Sequence, residues 1–181
     1  MNEPNPSIGR LLSRSAAELT LVTALVFATG WGGVRLAEVV HRHPVTPARD
    51  GTIQLPIVKS DRRGNVNFVE GSGYKGWWQC QGGDWAVDWR LAAEGRRYRV
   101  EARVARPELK SGGRIAVVIG DQTLEAEVPD TGGPAKWKAL DLGVVLLEAK
   151  PYVLTVRPSA SGGDTNVNLK SVTLRPEVNL P

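Results

Sequence analysis

The sequence predicts an all-β protein, a jelly-roll-type β-sandwich preceded by a single N-terminal transmembrane helix, and three observations carry that prediction. In Asp84–Leu91, Trp85, Val87, Trp89 and Leu91 alternate with polar or small residues; in Tyr98–Val104, Tyr98, Val100, Ala102 and Val104 alternate with Arg97, Arg99, Glu101 and Arg103. That period of two marks strands with one buried face, and two such aromatic-rich strands need a second sheet to cover them. Twenty Gly and twelve Pro punctuate the short apolar segments, as expected where many strands are joined by turns. Finally, Leu19–Val34 contains no charged residue.

Residues 1–15 form a polar tip, and residues 16–40 are read as the membrane anchor, with Leu19, Val22, Leu25, Phe27, Gly30, Trp31 and Gly33 along it. Sixteen uncharged residues fall a little short of the ~20 that cross a bilayer, but Ala16 and Ala17 lengthen the run, and Glu18, Trp31 and Arg35 suit its interfaces. The rival reading is a cleaved secretory signal, with Arg10 and Arg14 before the apolar stretch and Ala28-Thr29-Gly30 as the cleavage site. Both place the rest of the chain outside the cytoplasm. The expected location is the bacterial inner membrane, single-pass, with the sandwich on the periplasmic or extracellular side.

Residues 41–51 read as a Pro-containing linker, residues 52–176 as the sandwich and residues 177–181 as a tail. In order, the predicted strands are Ile53–Ile57, whose Pro56 suits an edge, a short Val66–Phe68 strand, and the two central strands joined by the turn Ala93–Arg96, expected to fold them toward each other. There follow an Ile115–Ile119/Leu124–Val128 hairpin around Gly120-Asp121, strands at Trp137–Leu142 and Tyr152–Val156, and a last strand. In that strand Val167 and Leu169 are out of phase with Val172 and Leu174, which requires a bulge near Lys170-Ser171.

The formal charge is +4, with five arginines against four acids in residues 1–50, and no Lys/Arg run resembles a nucleic-acid-binding arm. No nucleic acid is expected as a partner. Both histidines lie in the linker and the single Cys80 has no histidine in its own domain, so no nucleophile–base pair is built and no enzyme is expected. The carboxylate pairs Asp84/Asp88 and Glu125/Glu127 fall on polar strand faces, and His41/His43 lack further ligands; no metal or cofactor site is expected.

The succession GYKGWW, GDWAVDWRL, EGRRYRVEARVA, IGDQTLEAEVPDTGG, WKALDLGVVLLEAKPYVLTVRP and NVNLKSVTLRP resembles the galactose-binding-like β-sandwich modules, namely the C-terminal domain of bacterial α-L-fucosidases and carbohydrate-binding modules of families 6 and 35. The resemblance spans Thr52 to Pro176. It implies a non-catalytic sandwich and, in some relatives, a structural calcium. The positions corresponding to the acidic calcium ligands are Gln54 and Asn168, neither acidic, so the expected cofactor set is empty.

Trp77 is expected to point away from its neighbour Trp78 and offer an exposed platform for a sugar ring or a protein partner. Arg97, Arg99 and Arg103 form an outward row that suits anionic lipid or an acidic partner, with Glu101 as an internal counter-ion. Two functions follow. The first is an accessory or scaffold subunit whose sandwich stabilises a larger membrane-protein assembly, with Gly30, Gly32 and Gly33 allowing close helix packing. The alternative is a lectin-like module that binds cell-wall or extracellular polysaccharide. A sugar-binding module acts by raising local substrate concentration for a catalytic domain, and this chain shows none, which makes the accessory subunit the leading expectation.

Overall fold

A computed structural model describes residues 43–71, 74–107, 113–162 and 165–177. The anchor Leu19–Val34 lies outside them, and among the described residues no helix is long and apolar enough to cross a membrane. The described residues belong to one compact unit, Arg42–Pro181.

Nine strands make up this unit: β1 (Ile53–Pro56), β2 (Ser60–Gly71), β3 (Tyr74–Ala92), β4 (Arg96–Ala105), β5 (Arg114–Ile119), β6 (Gln122–Glu127), β7 (Lys138–Leu147), β8 (Pro151–Pro158) and β9 (Val167–Pro176). They pair in the order β6-β5-β8-β3-β9-β4-β7, with β1 added to β9 and β2 to β3. The layers separate along β3. Its residues 87–92 pair with β8 and its residues 78–80 with β9, while β2 runs along its other side. Between these two pairings the β2–β3 register shifts, so that only Asn65 lies between Gly64, opposite Trp85, and Val66, opposite Cys80. The corner falls at Gly82-Gly83, where Gly82 has φ +76°, a conformation that side chains with a Cβ rarely adopt. Gly64 is needed opposite: a Cβ there would come 2.2 Å from the Asp84 carbonyl oxygen.

One face of each layer fills a common core. Trp85, Val87, Trp89 and Leu91 of β3 share it with Tyr98, Val100, Ala102 and Val104 of β4, together with Val172 and Leu174 of β9. The alternation read in the sequence therefore assigns the buried faces correctly, and the bulge in β9 is present, Lys170 being the extra residue where the register with Arg103 and Val104 shifts. The Ala93–Arg96 turn behaves differently from expectation. It does not make a hairpin, because both sides of β3 are occupied by β2, β8 and β9; it carries the chain across the core to the other layer.

At the seam between the outermost strands β6 and β7 no backbone ladder forms. The Gln122 carboxamide takes its place, donating from Nε2 to the Leu146 carbonyl at 2.7 Å and accepting from the Leu146 N–H at 3.0 Å. The segment read as a linker is partly built into the sandwich. Val45 is buried, its N–H donates to the Arg90 carbonyl, and its own carbonyl accepts from the Ala92 N–H, both at 2.9 Å.

Candidate functional site

The loop Pro129–Trp137 folds across the outward face of the layer that contains β4 and β9. Ala105 and Asn168 face each other there across the β4–β9 pairing, and the loop leaves Ala105 with no accessible surface and Asn168 with 1%. Asn168 Nδ2 donates to the Pro134 carbonyl at 2.8 Å. The Arg106 N–H donates to Thr131 Oγ1, also at 2.8 Å, and that hydroxyl in turn donates to the Gly133 carbonyl. The loop's own turn is fixed by Asp130 Oδ1, which accepts from the Gly132 N–H, and by Gly132 and Gly133 at φ +76° and +147°.

At the margin of this loop Trp77 and Trp137 meet edge to face, with ring centroids 5.6 Å apart and planes inclined at 70°. Lys170 Nζ stands 5.1 Å from the Trp137 ring centroid, within the range of cation–π attraction. Trp77 thus points away from Trp78, as its place in the strand predicts, but it is a half-buried wall against Trp137 and not an exposed platform. Trp78 turns to the core side, donates from Nε1 to Ser60 Oγ at 2.8 Å and carries Arg62 over its ring.

Three buried polar side-chain atoms of the described residues have no hydrogen-bond partner: Trp77 Nε1, Arg106 Nε and Asn168 Oδ1. All three belong to residues that touch the 129–137 loop. An unsatisfied buried polar group costs about 1–3 kcal/mol, so such groups are rare in a native fold and three around one loop mark it as a candidate site. Two of the atoms are donors and one is an acceptor, and one of the donors, Trp77 Nε1, belongs to the aromatic pair. That combination suits a hydroxylated ring, which offers acceptors and donors at its edge and an apolar face for stacking.

The arginine row is arranged for another purpose. Arg97 pairs with Glu177 at 3.2 Å; Arg99 bonds Asp141 at 2.6 Å and Glu177 at 3.1 Å. These carboxylates raise the Arg99 pKa further, and the Asp141 carboxyl lies below its ordinary value, held there first by the Gly143 N–H, against the opposing effect of burial, and then by Arg99. Glu101 is bonded by Arg175, not by the row itself. All three arginines of the row are exposed, and Arg97 and Arg99 each have a carboxylate partner. Cys80 is fully buried, and burial pushes its thiol well above the ordinary range, which keeps it from acting as a thiolate. Among the described residues no group of three or more His, Cys, Asp or Glu comes together.

A groove of about 820 Å³ lies elsewhere, between the β5–β6 turn and the start of β8, with Tyr152 in its lining. Several of its polar groups are engaged with one another: Gln122 with Leu146, Lys150 with Glu148 at 2.6 Å, and the Tyr152 hydroxyl with the Glu148 N–H at 3.0 Å. The unsatisfied groups at the Trp77–Trp137 corner make that corner the stronger candidate.

Sequence reasoning singled out Trp77 but missed Trp137, Arg106 and Lys170 as members of one site. The available signal was Asn168, a polar residue flanked by the apolar Val167 and Leu169 in a strand buried on both faces at that point.

No family model matches the chain, and no curated protein matches it in sequence. Solved structures do match in fold. A family 35 carbohydrate-binding module from Clostridium thermocellum superposes with a TM-score of 0.58 at 13% identity, covering 70% of this chain and 98% of the module. The C-terminal CBM6 of LamC, a marine laminarinase from Zobellia galactanivorans, gives 0.55 at 19% identity, over 68% of this chain and 98% of that one. The GH26-CBM35 β-(1,4)-mannanase of Podospora anserina gives 0.58 at 20% identity over 74% of this chain, which spans only 29% of the enzyme's length. With these likenesses and the two-layer core, the described residues adopt the galactose-binding-like β-sandwich fold.

Proposed function

We propose that this protein is a non-catalytic carbohydrate-binding module whose ligand occupies the corner formed by Trp77, Trp137, Arg106, Asn168 and the 129–137 loop. The observation that carries the reading is that three buried polar atoms without a hydrogen-bond partner, one of them on the edge-to-face tryptophan pair, belong to residues that touch one loop. The shared fold of the family 6 and 35 modules supports it. Of the arginine row offered for an acidic partner, Arg97 and Arg99 already pair with Glu177 and Asp141.

The test is a polysaccharide array probed with the full chain purified in mild detergent. Saturable binding to at least one glycan is expected, weakened tenfold or more by Trp77→Ala. Absence of glycan binding, with recovery of the protein in a stoichiometric membrane complex, would return the accessory-subunit reading to first place.

The same reading keeps residues 16–40 as a bacterial inner-membrane anchor, on the strength of the uncharged Leu19–Val34 run. The full-length chain is expected to stay in the membrane pellet after carbonate washing. Its release into the supernatant would remove the anchor.

A further inference from the structure

We infer that the groove between the β5–β6 turn and the start of β8 is a docking face for the lipid bilayer, on whose interface this end of the sandwich rests; this depends on the anchor proposed above and not on the carbohydrate reading. The first observation is what lines the groove. Leu146 is 65% exposed, more than any other large apolar side chain of the described residues, and Val153 is 52% exposed. Tyr152 is half-buried in the same lining, and Lys150 Nζ stands 5.4 Å from its ring centroid. Aliphatic side chains beside a tyrosine and a lysine suit a bilayer interface, where the aromatic ring sits at headgroup level and the lysine stem lies along apolar surface with its charge in water. The charges of the lining do not share a sign, since Lys150 pairs with Glu148 at 2.6 Å and Asp121 lies in the same wall. Apolar contact, not attraction to anionic lipid, therefore holds this face.

The second observation is where the chain enters the sandwich. Val45 is fixed to β3 by two backbone hydrogen bonds and bridges Leu91, and Leu91 pairs on its other side with Tyr152. Val45 and Tyr152 therefore lie two strand spacings apart, about 10 Å, at one end of the same layer. From residue 40, where the anchor read in the sequence ends, to Val45 an extended chain reaches at most about 18 Å. That tether makes docking of the groove intramolecular, so a patch too small to hold a free protein on lipid suffices. Trp77 lies near the opposite end of β3, beyond the Gly82-Gly83 corner. A sandwich docked through Leu146 and Val153 keeps the Trp77–Trp137 corner turned away from the lipid and open to large ligands outside.

The full chain is reconstituted into phosphatidylcholine nanodiscs carrying a nitroxide on a shallow acyl carbon, with a fluorophore attached at Leu146→Cys, Val153→Cys or, as the distant control, Phe68→Cys. Cys80 is fully buried and takes no label. An apolar face on a bilayer lies about 5–10 Å into the headgroup–acyl boundary, so the labels at 146 and 153 should each be quenched about twofold or more and the label at 68 left unquenched. Quenching should not change as salt rises, because the contact is apolar. Leu146→Asp should at least halve the quenching at 153 with an unchanged melting temperature, since residue 146 is exposed and its replacement leaves no cavity. Incorporation into the discs without quenching at 146 and 153 would overturn the inference and leave the anchor standing, whereas failure to incorporate would overturn both. Equal quenching at 68 would overturn it as well, because the tethered domain would then present no fixed face. Cross-linking of Val153→Cys between chains, in place of quenching, would overturn it by giving the groove to a second copy.

Discussion

Trp89→Ala is expected to destabilise the sandwich more than any other single substitution considered for this chain, by about 3–5 kcal/mol. Trp89 is 1% exposed and is the largest fully buried side chain of the core. Its ring fills space between the two layers, and its Nε1 donates to the Pro56 carbonyl at 2.9 Å, tying β3 to the end of β1. Alanine leaves a cavity the size of an indole and an orphaned carbonyl, and both effects act in the same direction. A domain of this size has about 5–15 kcal/mol in total, so the variant should lose roughly a fifth of its stability or more. Urea unfolding followed by far-UV circular dichroism should show a lower midpoint with the slope unchanged. Trp89→Phe, which retains part of the volume but not the hydrogen bond, should fall between the two. Phe68→Ala supplies the contrast, because Phe68 is 50% exposed and its removal opens no internal cavity. A Trp89→Ala protein within about 1 kcal/mol of the parent would mean that the two layers are not held together through this ring.

The same residue shows why so much of the fold was legible. Alternation reports which side of a strand is buried, and the positions of Trp85, Trp89, Tyr98 and Val100 in the core follow from it directly. The phase break in β9 reports a bulge for the same reason, since one extra residue is the only way to keep both Leu169 and Val172 inside. Alternation says nothing about which strand lies beside which. The Gly95 turn therefore looked like a hairpin, although β3 already had neighbours on both sides and the turn had to cross the core. The Gly82-Gly83 corner and the bridging of Val45 to β3 were equally hidden, because both depend on pairing between residues distant in sequence. The site was the least legible part. Trp77 and Trp137 are sixty positions apart, and their meeting depends on how one irregular loop lies over β9.

Trp137→Ala is expected to abolish most glycan binding while leaving the fold intact, and this separation is what distinguishes a binding residue from a core residue. Trp137 stands outside the main core, on a loop, half-buried against Trp77 and beneath Lys170. Its truncation removes an edge-to-face pair worth about 0.5–1.5 kcal/mol, so the urea midpoint should move little compared with Trp89→Ala. Binding should suffer far more. Aromatic residues at the centre of a recognition site commonly contribute 2 kcal/mol or more, equivalent to about a thirtyfold loss of affinity. Truncation also frees Lys170 from the ring and uncovers Trp77, whose Nε1 then gains water as a partner and no longer needs the ligand. Trp137→Phe keeps an apolar face and should recover part of the affinity, which a purely structural role for the indole would not produce. Titration of each variant with the tightest-binding polysaccharide, alongside its urea curve, gives both quantities on the same preparation. Undiminished affinity in Trp137→Ala would move the ligand away from this corner and leave the three unpartnered atoms without the explanation offered for them.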